Sequence, residues 1–181
     1  AHIGLVPVGS LSELKDWRRI TDYGIGARGK VESVALFSEV PLNEIKEIVL
    51  DHDSRSSVLL LKCLNKYKWK LNVELKQGST GFETEIGGKT AAMVIGDRAL
   101  ALGNKHKYKY DLAQEWTDFF GVPIVFAVWV SRTNLPKEFL QLFNHALKTG
   151  VEEREKLISQ LLKQKKYSFD LHHYLMHNIQ Y

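Results

Sequence analysis

The residues best suited to chemistry are the hydroxyls and charges of Asp51-His52-Asp53-Ser54-Arg55-Ser56-Ser57. Residues 45–50 before them read as a strand, and residues 56–65 after them as a helix with an apolar face. A helix that starts in such a turn aims its first, unpartnered N–H groups at one spot, where its dipole is positive. That spot favours a carboxylate or phosphate. Capping by Asp53 or Ser54 accounts for the same residues without a ligand. Two further polar tips fall at strand ends or edges: Ser33 in the apolar run 31–37, and Gly96-Asp97 after the run 91–95. The expectation is that all three tips meet in one cleft.

Other patterns weaken in context. Gly24-Ile25-Gly26-Ala27-Arg28-Gly29 has the spacing of a dinucleotide-binding turn. That motif must follow a strand and open a helix, whereas this one precedes the strand 31–37 and reads as a plain turn. His173 and His177 stand four apart, as zinc ligands on a helix do, but no Glu follows His173 to make the hydrolase motif. Asp51 and Asp53 without further carboxylates nearby are better caps than magnesium ligands. No metal site and no cofactor is expected. Lys105-His106-Lys107-Tyr108-Lys109-Tyr110 interleaves bases and aromatics as single-strand nucleic-acid surfaces do. It is short and isolated, and a solvated loop or hairpin explains it, so no nucleic-acid partner is expected. Cys63 is the single cysteine and reads as core beside Leu59 and Leu60.

The elements that must position these residues alternate. Strands are expected at 3–8, 31–37, 45–50, 71–75, 91–97 and 124–130, the last too unbroken for a half-exposed sheet. Helices are expected at 10–14, 56–65, 111–120, 136–149 and 151–166, with Gly150 separating the last two, and near 171–178. In the helix at 152–166, Leu157, Ile158, Leu161 and Leu162 form a core-packing face. Alternation of this kind predicts an α/β architecture with mainly parallel sheets. Ligands of such sheets bind beyond the carboxyl ends of strands. The 181 residues are 44% hydrophobic and 25% charged, ordinary globular values. The net charge of +4 suits a small anion without demanding nucleic acid. No apolar run reaches the ~20 residues of a membrane helix, and no signal-peptide pattern is present. An apolar strand at the very first residues carries the expectation that a further segment precedes Ala1.

Five ordered blocks then carry a resemblance. They are Val31-Glu32-Ser33-Val34-Ala35-Leu36-Phe37-Ser38; Leu50-Asp51 through Ser54-Arg55-Ser56-Ser57-Val58; Met93-Val94-Ile95-Gly96-Asp97-Arg98-Ala99-Leu100; Tyr110-Asp111-Leu112-Ala113-Gln114-Glu115-Trp116; and Gly121-Val122-Pro123-Ile124-Val125-Phe126-Ala127-Val128-Trp129. Together they resemble the chorismate dehydratases of the futalosine route to menaquinone. The resemblance implies a type II periplasmic-binding-protein-like fold reused as a cytoplasmic enzyme, with two α/β lobes around a cleft. One lobe would be discontinuous, from residues 1–38 and 121–181, and the other would be 39–120. The implied reaction removes water from chorismate to give 3-[(1-carboxyvinyl)oxy]benzoate. Ser54, Ser56 and Ser57 would hold a carboxylate, Arg55 would hold a carboxylate or brace the turn, and Gly96 would admit the substrate to the backbone. Ser33 would hydrogen-bond the substrate, and Asp97 would be a polar wall or an acid/base. Family members carry an earlier segment with a cleft-facing Asn, an Asp where His2 stands, and Thr-Ser in place of Ser56-Ser57. The alternatives are the sister 1,4-dihydroxy-6-naphthoate synthase of the same pathway and a non-catalytic binder of small carboxylates. An exposed sheet edge would favour pairing into a homodimer.

Overall fold

In the computed structural model, residues 2–181 are described. The chain forms β1 (Ile3–Pro7), β2 (Arg18–Ala27), β3 (Val34–Ser38), β4 (Glu47–Leu50), α1 (Arg55–Leu64), β5 (Glu74–Gln77), β6 (Thr90–Ile95) and α2 (Gly96–Leu102). It continues through β7 (Tyr108–Asp111), α3 (Leu112–Phe120), β8 (Ile124–Ser131), α4 (Lys137–Glu152), α5 (Arg154–Gln164) and a short α6 (Leu171–His173), which widens over Tyr174–Asn178. The strands make two sheets, ordered β1-β8-β2 and β5-β4-β6-β3-β7.

Strand alternation builds the larger sheet into a two-sided core. Val34 and Leu36 of β3, Ile48 and Leu50 of β4, and Ala91 and Met93 of β6 join one buried cluster with Leu60, Leu61 and Leu64 of α1. Ala35 and Phe37, Val49, and Ala92 and Val94 point the other way, into a second cluster with Phe82 and with Ala99 of α2. Successive side chains of a strand face opposite sides, so unbroken apolar strands need cover on both. Helix α1 begins at Ser54, whose hydroxyl accepts from Ser57 N–H. Helix α3 begins at Asp111, which accepts from Ala113 and Gln114 N–H, and closes at Gly121 as its sequence predicts.

The architecture is mixed α/β, but several local expectations need correction. The sheets are not mainly parallel. β4 is parallel to β5 and β6, whereas β3 is antiparallel to β6 and β7, and the three-stranded sheet is antiparallel throughout. The glycines at 24 and 26 are not a turn but lie inside β2, where a Cβ would meet the carbonyl oxygens of Ala127 and Ile124 at 2.7 and 2.8 Å. Glycine there permits a close strand approach, and its repeat disguised the strand. β8 is half-exposed for most of its length despite its apolar sequence. Gly150 does not separate two helices, because α4 runs through it to Glu152. Leu59 is half-exposed and Cys63 only partly buried, so the face of α1 that packs is that of Leu60, Leu61 and Leu64. Of the four apolar residues assigned to the α5 face, Ile158 is buried while Leu157 and Leu162 are exposed.

The chain passes from the three-stranded to the five-stranded sheet between Ala27 and Val34, and returns between Phe120 and Ile124. β3 therefore pairs in the five-stranded sheet, whereas the division drawn from sequence groups it with residues 1–38. No helix among the described residues is long and apolar enough to cross a membrane.

Candidate functional site

The turn after β4 is built around one buried carboxylate. Asp51 accepts from Asp53 N–H at 3.0 Å, Ile95 N–H at 3.1 Å and the Arg98 guanidinium at 2.9 Å. Arg98 also reaches Asp53 at 2.8 Å and Glu83 at 3.0 Å. Its guanidinium supplies the positive charge for these acids and braces the turn, in which Asp51, His52 and Asp53 also bring ligand atoms within 4.8 Å of one another. The bonds tie the end of β4 to the end of β6, so the starts of α1 and α2 lie side by side.

At the start of α1 the four candidate residues divide by role. Ser54 caps the helix and donates to Ser57 Oγ at 2.8 Å. Ser57 therefore accepts through its oxygen, and its own proton has no acceptor among the described residues. The backbone N–H groups of Arg55 and Ser56 lie in the first turn, where no intrahelical acceptor exists. The Ser56 hydroxyl is already used: it donates to Phe126 C=O at 2.9 Å and accepts from Gly9 N–H at 3.1 Å. It bolts α1 to β8 and to the turn after β1. Gly9 must be glycine for this contact, because a Cβ would lie 2.9 Å from the backbone of Arg55 and Ser56. Arg55 pairs with Glu13. It lines a neighbouring cleft with Glu13, His52 and Lys62. Of its two roles foreseen from sequence, bracing is the one this contact serves.

Between the two sheets lies a cavity of about 220 Å³. Ser54, Ser56 and Ser57 line it from α1, Ser33 from the strand approach to β3, and Gly96 from the start of α2. Pro7, Ile25, Phe126, Ala127, Ile95 and Ile179 give it mainly apolar walls. Arg55 and Asp97 are not among its lining residues. Gly96 has φ of 64°, a backbone state that favours glycine, and its N–H donates to Ser33 C=O at 2.7 Å. A side chain there would meet no protein atom within 4 Å. Asp97 is exposed in the first turn of α2. It lies near enough to Tyr174 to act on that phenol, whose pKa is raised mainly by burial and further by the Asp97 charge.

Tyr174 is the lining residue that sequence reasoning missed. Its hydroxyl donates to Ser33 Oγ at 3.0 Å across 141 positions of chain. Nothing local marks it, since Tyr174-Leu175-Met176 reads as an ordinary apolar turn of helix. Arg98 was also passed over as a brace, because its partners Glu83, Asp53 and Asp51 lie 15, 45 and 47 positions away. His173 and His177 approach ring to ring at 5.1 Å, but no metal-binding cluster of the described residues includes them. Of residues 105–110, expected as a solvated loop or hairpin, those from Tyr108 form the edge strand β7, antiparallel to β3.

The menaquinone biosynthesis family matches this chain over residues 2–181. The chain belongs to that family. Among curated relatives, the chorismate dehydratase of Thermus thermophilus is 28% identical over 180 residues, covering 83% of this chain and 63% of that protein. A crystal structure of an Archaeoglobus fulgidus protein matches with a TM-score of 0.63 at 12% identity, covering 90% of this chain and 61% of that one. At that identity the second likeness speaks for the fold alone. The chain thus spans less than two thirds of the length of these relatives.

Proposed function

We propose that this family member acts on chorismate, removing water to give 3-[(1-carboxyvinyl)oxy]benzoate. The observation that carries the reading is the cavity itself, where apolar walls meet the start of α1 and hydroxyls from three separate segments. That combination suits an anionic ring compound. The named activity of the Thermus relative points the same way.

In the reaction a ring C–H bond and a C–OH bond break. The C–H electron pair becomes the new ring double bond, the C–O pair leaves with oxygen, and proton and oxygen depart as water. No oxidant or reductant enters. The enzyme's task is to hold the anion in one pose and to stabilise charge on the departing oxygen. Ser57 Oγ–H and the N–H groups of Arg55 and Ser56 hold one carboxylate, and Ser54 orients Ser57. Ser33 donates to the substrate from the other element. Gly96 leaves open space beside the backbone, and Asp97, which follows it but does not line the cavity, is the polar wall or acid/base of this reading. The two sheets are the lobes of a type II periplasmic-binding-protein-like fold. In support, β3, the strand that arrives from the three-stranded sheet, enters antiparallel between β6 and β7. The same reading makes the enzyme cytoplasmic.

The test is incubation of the full-length protein with chorismate while the ultraviolet spectrum is followed for the aromatic product. Ser57→Ala is expected to lower kcat/KM about 10- to 100-fold, the scale of one hydrogen bond to a charged group. No spectral change with the wild type removes the reading, and an unchanged Ser57→Ala removes the carboxylate cradle.

A further inference from the structure

Ser33 has one proton and two lone pairs to place. Tyr174 donates into its oxygen at 3.0 Å, and the Ser33 carbonyl is taken by Gly96 N–H. No acceptor for the Ser33 proton exists among the described residues, and Ser33 and Tyr174 both line the cavity. An ordinary buried tyrosine needs some partner for its hydroxyl, but this one's partner is a residue of the candidate site.

We propose that Tyr174 is a positioning residue: by donating to Ser33 it commits the Ser33 hydroxyl to donate into the cavity, onto the oxygen that leaves the substrate. The inference rests on the dehydration reading above. A hydroxyl that accepts one hydrogen bond becomes a stronger donor of the next, so the pair outperforms a lone serine. As the C–O bond breaks, negative charge gathers on the departing oxygen, and a donor already aimed there needs no reorientation. Neither hydroxyl gives up its proton in net terms, because the departing oxygen leaves as water with the proton taken from the ring carbon. Burial, helped by Asp97, keeps the Tyr174 phenol above its ordinary pKa and hence protonated as a donor at neutral pH.

The experiment compares Tyr174→Phe, Ser33→Ala and the double variant in the full-length protein, with chorismate as the ligand. Tyr174→Phe is expected to lower kcat about 10- to 100-fold while KM moves less than about threefold. The double variant is expected to be no slower than Ser33→Ala alone, since the tyrosine acts through the serine. By calorimetry, Tyr174→Phe is expected to bind the reaction product, which lacks the ring hydroxyl, as tightly as the wild type does. A merely structural tyrosine would instead weaken both ligands and add its effect to that of Ser33→Ala. A wild type that turns over chorismate with Tyr174→Phe at full kcat overturns this inference and spares the dehydration reading. A wild type that binds chorismate without converting it sinks the dehydration reading, and this inference with it, as does one that neither binds nor converts it.

Discussion

The apolar strands of the two sheets, β3 and β6 in the larger and β1 and β8 in the smaller, are buried to different depths. Every residue of β3 is buried, and so are the four central residues of β6. In the smaller sheet Leu5 of β1 is 37% exposed and Val125 of β8 46%, while Leu142 on the covering helix α4 is 69% exposed. The difference lies in the layers. The larger sheet has α1 on one side and α2 with Phe82 on the other. The smaller has α4, held through the Trp129–Phe143 ring contact at 5.2 Å, and borders the cavity, with Ile25, Ala27, Ile124 and Phe126 reaching the core of the larger sheet. Apolar sequence sets the capacity for burial, and neighbouring layers decide how much of it is used. The candidate site draws its hydroxyls from around the well-covered sheet and much of its apolar wall from the thinly covered one.

Truncations should expose this contrast most strongly. Leu61→Ala, in a fully buried position of α1, is expected to cost about 2–5 kcal/mol in chemical denaturation. Leu142→Ala on α4 should shift the same measurement by less than about 0.5 kcal/mol. Equal costs would show that the exposure difference does not reflect packing. Between these extremes lies the seam of the two sheets. Gly9→Ala forces a Cβ to within 2.9 Å of the α1 backbone and should destabilise the chain by about 1–3 kcal/mol. It should also weaken ligand binding, whereas Leu142→Ala should not. Retained affinity in Gly9→Ala would uncouple the seam from the cavity.

The smallest expected effect is one of pH. Burial raises the Tyr174 pKa in the folded chain, so the folded state keeps that proton after the unfolded state loses its own near pH ~10. Stability from this group is therefore full below pH ~10 and declines as pH rises through the folded pKa. Tyr174→Phe should flatten part of the alkaline decline in thermal melts, to which Tyr110, Tyr181 and Lys76 also contribute. β1 has no strand on its outer side among the described residues. If copies pair there, sedimentation will depend on concentration; a constant monomer value removes the homodimer expectation.

What was legible in the sequence was local. The cap at Ser54, the cap at Asp111 and the stop at Gly121 follow from side-chain chemistry within a few residues. The two-sided burial of β3 and β6 follows from unbroken apolar runs. Of the three tips expected to meet, Ser33, the serines of α1 and Gly96 line one cavity, whereas Arg55 and Asp97 do not. Long-range partnerships were not readable. Ser56 looks like a ligand-binding hydroxyl until Phe126 and Gly9, 70 and 47 positions away, are seen to consume it. Arg55 reads equally as an anion receptor and as a brace for the turn, and its ion-pair partner Glu13 lies 42 positions away. β2 was missed because its glycines signal a turn locally, and only β8 alongside reveals that they let two strands approach.

The tail has a consequence for the order of events in synthesis. Gly26 and Gln180 exchange backbone hydrogen bonds at 2.9 Å, Asn178 donates to Lys30 C=O, and Tyr174 and Ile179 close one side of the cavity. Asn178 and Lys30 stand 148 positions apart in the chain. A nascent chain that has reached only α5 can already assemble the five-stranded sheet, yet its pocket still lacks a wall. The pocket is therefore complete only once residues 174–179 have docked beside Ser33 and β2.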